Sequence, residues 1–354
     1  MDMATFDFSP AAAPLLTWYD ANKRDLPWRS NTDPYRVWVS EIMLQQTRVT
    51  AVIPYFERWM SALPDVFALA RAEEETLMKL WQGLGYYSRA RNLQKAARKI
   101  VDEYGGHFPN TYDTLLTLPG VGEYTAGAIA SIAFSQKVSA VDGNVLRIVS
   151  RVGNIREDIL DPRVKKSIRT ILNSAVPKNR SGDFNQALMD LGATVCLPNG
   201  KPLCESCPLA ALCRAKALGA EQELPLRAKK NPRRAEQMTV YLLLRDGTVA
   251  LRKRKESGLL AGLWEFPNVP GSLDENTVGK ALSDWNLTAL DWKKTISARH
   301  IFTHVEWHMT GYVVAVKGDG ADDFVWADRE TLDSLAVPGA FGKYLSECMD
   351  ALEK

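Results

Sequence analysis

Four cysteines, Cys196, Cys204, Cys207 and Cys213, form a C-x7-C-x2-C-x5-C run. Thiolates this close in sequence can enclose Zn²⁺ or a [4Fe–4S] cluster, both of which select soft sulfur ligands. Buried cysteines without a metal are the bland alternative. Zinc sites usually present two C-x2-C knuckles and this run has one, so the uneven spacing suits a cubane cluster better. Cys348 lies far away in an expected terminal helix and reads as a plain core or surface residue. Two carboxylates have distinctive settings. Glu41 lies among Val37, Trp38, Ile42 and Leu44. Desolvation there would raise its pKa and suit it to general-acid work, whereas a solvated helix-face glutamate is the competing reading. Asp142, in Ala140-Val141-Asp142-Gly143-Asn144, precedes an apolar helical run and is at least a candidate N-cap.

Residues 10–216 show helical spacing with breaks at turn and cap signals, which predicts a bundle of roughly ten helices. Asp33 and Pro34 open the helix that carries Glu41. Leu118-Pro119-Gly120-Val121-Gly122 is a tight turn before the helical TAGAIASIAF. Its glycines permit positive φ and let a phosphate approach the backbone amides at a helix N-terminus. An ordinary helix–helix connection is the other reading of that turn. Gly83-Leu84-Gly85-Tyr86-Tyr87-Ser88-Arg89 combines aromatic and basic residues at a helix start. Residues 217–236 form a basic, proline-bearing linker candidate. Beyond it the strand-like TVYLLL, TVALRKR and TGYVVAV, with helices at 275–286 and 328–352, predict an α+β domain with an antiparallel sheet.

The 354 residues carry a net charge of +2, which taken alone argues against a polyanionic partner. The distribution differs. Residues 1–216 hold 26 Lys and Arg against 22 Asp and Glu, 217–236 hold 5 against 3, and 237–354 hold 13 against 17. A polyanion can therefore bind the first two stretches. No secretory signal or membrane span is visible, so a cytoplasmic protein is expected, nucleoid-associated if bacterial. His107 is the one histidine before residue 217, which disfavours a histidine-based mechanism.

LPGVG followed by VDGN and four downstream cysteines resembles the helix-hairpin-helix DNA glycosylase superfamily. RDLPWR at 24–29, SEIMLQQT at 40–47 and GLGYY-RARNL narrow the resemblance to the MutY-type adenine DNA glycosylases. The resemblance implies an all-α helix-hairpin-helix lobe with an iron–sulfur cluster, plus an α+β Nudix-like C-terminal domain. Its boundaries would be 1–216 for the helical domain, with a helix-hairpin-helix part at about 30–140. A cluster part at about 141–216 would include the N-terminal helix, and the Nudix-like domain would span 237–354. Ser257 to Pro267 carries the C-terminal likeness, but no REx2EE run follows, so recognition rather than pyrophosphate hydrolysis is expected.

On this resemblance Glu41 protonates adenine and Asp142 stabilises the cationic sugar, with Tyr124 and Asn144 positioning water. Breaking an N-glycosidic bond calls for such a pair of carboxyls in different environments. Arg24, Trp28 and Arg29 would line the adenine pocket, and Gln45 and Tyr86 would intercalate. Gly120, Val121 and Gly122 would hold a DNA phosphate, and Cys196, Cys204, Cys207 and Cys213 a [4Fe–4S] cluster. Phe302, Thr303 and His304 match a Phe-Ser-His loop that reads 8-oxoguanine. Tyr124 stands where endonuclease III-like enzymes carry a nucleophilic lysine, so a monofunctional glycosylase is expected. The partner would be double-stranded DNA with an A:8-oxoG or A:G mispair, met by a monomer. Thr303 in place of Ser, a first cysteine spacer one residue longer than usual, and Leu146 where relatives often have lysine are departures. Two other readings are an endonuclease III-like pyrimidine-lesion glycosylase and a non-catalytic, metal-bearing DNA-binding protein. Tyr124 and the C-terminal domain oppose the first; the paired carboxylates oppose the second.

Overall fold

The computed structural model describes residues 6–228 and 232–352. The first five residues, the middle of the expected linker (Lys229–Asn231) and the last two residues lie outside it. In chain order the helices of the first 217 residues are α1 (Ala12–Asn22), α2 (Pro34–Leu44), α3 (Val49–Ala62), α4 (Val66–Arg71), α5 (Glu74–Trp81) and α6 (Ser88–Tyr104). They continue with α7 (Tyr112–Leu115), α8 (Glu123–Phe134), α9 (Gly143–Gly153), α10 (Pro162–Ala175), α11 (Ser181–Thr194) and α12 (Arg214–Ala217). Among the described residues the expected ten or so helices thus resolve into twelve, of which α7 and α12 are single turns. Then follow β1 (Arg234–Arg245), β2 (Thr248–Lys253), β3 (Trp264–Glu265), β4 (Asn268–Pro270), α13 (Glu275–Asp284), β5 (Thr288–Ile301), β6 (Val305–Lys317), β7 (Phe324–Ala327), α14 (Arg329–Ser334) and α15 (Gly342–Leu352).

The chain divides into two compact units, Met1–Ala72 with Arg91–Lys229 and Glu73–Ala90 with Lys230–Lys354. This departs from the expected boundaries at two places. Glu73–Ala90 groups with the C-terminal residues because Gln82 Nε2 donates to the Val337 carbonyl at 2.7 Å and Trp264 Nε1 to Glu75 at 3.2 Å. Lys79 also donates to the Asp333 carbonyl. Residues 217–228 belong to the first unit rather than to a free linker. Leu224 is buried, its carbonyl accepts from Arg151 Nε at 2.9 Å, and Leu226 accepts from the Ile159 N–H.

In the first unit, apolar faces of α1, α9, α10 and α11 close one core around Leu15, Ile148, Ile168 and Phe184, with Cys196, Cys207 and Cys213 packed against it. Leu146 is buried in that core. Gly192 on α11 lets α9 approach closely: a Cβ would lie 2.5 Å from Asn144 Cβ.

In the second unit the sheet order is β3-β2-β1-β6-β5, with β4 on β1 and β7 on β2. The expected antiparallel sheet is in fact mixed, because β1 runs parallel to β6 from Arg234↔Val305 to Leu244↔Ala315. Parallel neighbours need a long crossover, and the chain between them includes α13. Val240 and Leu242 face a core with Phe341 and Tyr344, while Tyr241 and Leu243 face Val278 and Leu282 of α13. Residues 328–352 form two helices, not one. Pro338, which lacks an N–H and restricts the residue before it, follows the end of α14, and a 3₁₀ turn (Gly339–Phe341) leads into α15.

Candidate active site

Asp33 caps α2 by accepting from the Tyr35 N–H at 2.9 Å, with Pro34 in the first turn, where a missing N–H costs nothing. From Val37 to Met43 every residue of α2 is buried, so Glu41 enters the interior with only 5% of its surface exposed. The solvated-face reading of Glu41 is thereby excluded. Glu41 borders a cavity of about 920 Å³ that is also lined by Tyr124, Asp142, Asn144, Arg24 and Arg29. Tyr124, in the first turn of α8, donates its hydroxyl to Glu41 Oε2. The Met189 sulfur lies 3.8 Å from the same hydroxyl.

Asp142 is the N-cap of α9, with Oδ1 accepting from the Val145 N–H at 2.8 Å. Its other oxygen accepts from Asn144 Nδ2 at 2.8 Å. The N-cap reading and the cavity position are therefore both true of one side chain. Asn144 is oriented in turn, since its carbonyl oxygen accepts from Arg147 Nη2 at 2.9 Å. Arg147 itself donates to the Gly192 and Cys196 carbonyls at 2.7 and 2.8 Å. A chain of fixed donors thus runs from the backbone of the cysteine loop to the Asp142 carboxylate.

Burial shifts both carboxyls upward, against different sets of hydrogen bonds and charges. Burial pushes Glu41 up to about 7; the Tyr124 hydrogen bond opposes this, the nearby Asp142 charge adds to it, and Arg29 opposes it again. Burial also raises Asp142, against hydrogen bonds from the Val145 N–H and from Asn144. Burial and the adjoining carboxylates hold Tyr124 well above the usual phenol range, so it stays a neutral donor. A proton-bearing carboxyl beside a hydrogen-bonded one is the arrangement that protonates a leaving group and faces the cation left behind.

The remaining residues singled out from the sequence fall into three groups. Arg24, Trp28, Arg29 and Gln45 line the cavity, and Trp28 is buried edge-on against Phe56 at 5.5 Å between ring centroids. Gln45 Nε2 lies 3.4 Å from the Thr125 hydroxyl. Gly120, Val121 and Gly122 form the turn into α8. Gly120 has φ +75°, and a Cβ there would meet Asn92 Cβ at 2.7 Å, so only glycine fits. Gly122 is the N-cap of α8 and brings no capping side chain, which leaves the first helical amides without a side-chain cap from that position.

Tyr86, Phe302, Thr303 and His304 belong to the second unit and are not among the residues that line the cavity, all of which belong to the first. Phe302–His304 is the tight turn between β5 and β6, not sheet: the Phe302 N–H donates to the Val305 carbonyl at 2.8 Å. Tyr86, 46% exposed, adopts φ +48° and shares a hydrogen bond between its hydroxyl and that of Thr303. Sequence reading missed Met189, Gln186 and Asp190. Asp190, between apolar neighbours on a helix, was the one readable signal among them.

A model of the HhH-GPD superfamily base excision DNA repair proteins matches residues 39–174, and a NUDIX domain model matches residues 239–347. The adenine DNA glycosylase of Mus musculus is 42% identical over 360 residues, spanning 85% of this chain and 70% of that protein. The Homo sapiens adenine DNA glycosylase is 39% identical over 394 residues, spanning 93% and 72%. The chain belongs to the adenine DNA glycosylase family. A solved thermostable thymine-DNA glycosylase shares the helical fold, with a TM-score of 0.54 and 29% identity over 59% of this chain and 96% of that one.

In this adenine DNA glycosylase family member, Cys196, Cys204, Cys207 and Cys213 line one small cavity with Ile148, Val152 and Leu191. Cys196 Sγ lies 3.2 Å from Arg151 Nη1. Among the described residues, no three His, Cys, Asp or Glu side chains converge tightly enough to hold a single metal ion. Burial raises the Cys204, Cys207 and Cys213 thiols, Cys207 to about 11, so ionising them together calls for a compensating cationic centre. Four soft donors around a shared apolar-walled space fit a sulfur-ligated cluster.

Proposed function

We propose that this protein is a monofunctional DNA glycosylase that removes adenine from A:8-oxoguanine and A:G mispairs in double-stranded DNA, acting as a monomer on DNA in the cytoplasmic compartment. The observation that carries the reading is the buried Glu41 carboxyl facing Asp142 across one cavity, with Tyr124 where a lyase would need an amine. Glu41 donates its proton to a ring nitrogen of adenine. The N-glycosidic bond then breaks, and its electron pair leaves with the base. The Asp142 carboxylate stabilises the cationic sugar, and a water held by Asn144 and Tyr124 completes the hydrolysis. Arg24, Trp28 and Arg29 wall the base pocket, and the amides at Gly120–Gly122 take a backbone phosphate. Reaching the base requires extruding it, with Gln45 and Tyr86 filling the vacated stack. The Phe302–Thr303–His304 turn reads the opposite purine.

A duplex with one A opposite 8-oxoguanine tests this directly. After incubation and alkali, strand cleavage at that adenine is expected; an intact strand would sink the reading. Because Glu41 must be protonated and sits near pKa 7, single-turnover rates should fall about tenfold per pH unit above that value. A rate flat from pH 6 to 9 would remove Glu41 as the proton donor.

The reading includes a [4Fe–4S] cluster on Cys196, Cys204, Cys207 and Cys213, supported by the shared cavity and the soft donor set. When bound, the cluster would tie the loop from Cys196 to Cys213 into one cross-linked body. The purified protein should be brown with about four iron atoms per chain, and Cys207→Ser should lose the colour. Stoichiometric zinc in its place would overturn the assignment.

A further inference from the structure

Asp190 has no exposed surface and does not line the cavity, yet both of its oxygens are committed to residues that do. Oδ1 accepts from Arg24 Nε at 2.7 Å and from Arg29 Nη2 at 2.9 Å. Oδ2 accepts from Arg29 Nη1 at 2.7 Å and from the Arg24 backbone N–H at 3.2 Å. Arg29 also donates to the Arg24 carbonyl at 3.3 Å and lies 5.9 Å over the Tyr19 ring. Two-pronged bonds of this kind fix the plane of a guanidinium as well as its position. One wall of the cavity is therefore a rigid pair of cations clamped from behind by a single anion.

The groups acting on Glu41 come from three elements: the charge of Asp142 at the start of α9, the neutral hydroxyl of Tyr124 on α8, and the charge of Arg29 just before α2. Lys23, Arg24, Asp25 and Asp183 also border the cavity. A cation facing Glu41 favours its carboxylate and so works against an acid that must keep its proton. A counter-charge placed inside the cavity would intrude on the bound base. Behind the arginines it does not.

We propose that Asp190 is a positioning residue for the acid–base site: it fixes the Arg24 and Arg29 planes and offsets the charge that Arg29 would otherwise present to Glu41. This rests on Glu41 being the proton donor.

Asp190→Asn keeps the size and one acceptor but removes the charge, and Arg29→Gln removes the cation while leaving Asp190 paired with Arg24. Two measurements are needed on the intact protein: the pH midpoint of single-turnover adenine release from an A:8-oxoguanine duplex, and the infrared titration, without DNA, of the carboxyl band that Glu41→Gln abolishes. Asp190→Asn should lower both midpoints by about one pH unit, and Arg29→Gln should raise both. Slower release with both midpoints unmoved would overturn the proposal and leave Asp190 a fold-holding ion pair. If Asp190→Asn does not fold, the infrared midpoint of Arg29→Gln decides alone, and no rise overturns it. Infrared midpoints that move as stated in a protein that releases no adenine would uphold the positioning role and sink the glycosylase reading instead.

Discussion

Glu41→Gln is expected to slow adenine release roughly 100- to 10,000-fold, the usual contribution of a placed general acid, and at the same time to make the protein more stable above pH 7. Gln retains an oxygen to accept the Tyr124 hydroxyl but has no proton to give. The stability gain follows from linkage. Folding raises the Glu41 pKa from 4.5 to about 7, so the proton-linked stabilisation is complete below pH 4.5 and is lost as pH rises through 7. At alkaline pH the native state holds a buried carboxylate at a cost of about 3 kcal/mol, which Gln does not incur. Thermal unfolding of both proteins at pH 5 and pH 8 checks this: the advantage of the variant should grow with pH. An advantage independent of pH would mean that Glu41 is not a buried acid, and full adenine release would remove it from the reaction.

Asp142→Asn should cost a comparable amount, roughly 100- to 1,000-fold in single-turnover release, with the fold intact. Asparagine is as good an N-cap as aspartate, so α9 keeps the bond from the Val145 N–H. The negative charge facing the sugar is lost, and with it the second acceptor oxygen that takes the Asn144 Nδ2 hydrogen bond. Circular dichroism and duplex binding should match the parent protein. A variant that unfolds would show that Asp142 matters chiefly as a cap, and one that retains full activity would show that no anion is needed there.

The site was legible where chemistry and local structure coincide. Asp142 before an apolar run, Tyr124 two residues after a Gly-x-Gly turn and Glu41 amid apolar neighbours each carry a local signal, and the structure places all three on one cavity. Asp190 between Met189 and Leu191 signals a buried acid but not its role, because its partners at 24 and 29 lie more than 160 positions away and nothing in the helix names them. The same limit explains the sheet. Alternating or apolar runs identify β1 and β6 as strands, but a strand's composition is silent on the direction of its neighbour, and the parallel pairing emerges only from the crossover. The break between α14 and α15 is a different case: helical spacing continues on either side of Pro338, and the proline divides the run into two helices.

The grouping of Glu73–Ala90 with the C-terminal residues bears on how the chain is made. Lys79 leaves the ribosome 254 residues ahead of Asp333, whose carbonyl it contacts, and Gln82 is 255 ahead of Val337. At ~5–20 residues per second that is a wait of roughly 10–50 s. The second unit therefore cannot be completed domain by domain in the order of translation. Its first piece is synthesised early and must wait for partners made near the end of the chain, and a chain stopped at residue 228 leaves Glu75, Lys79 and Gln82 without the partners they have here.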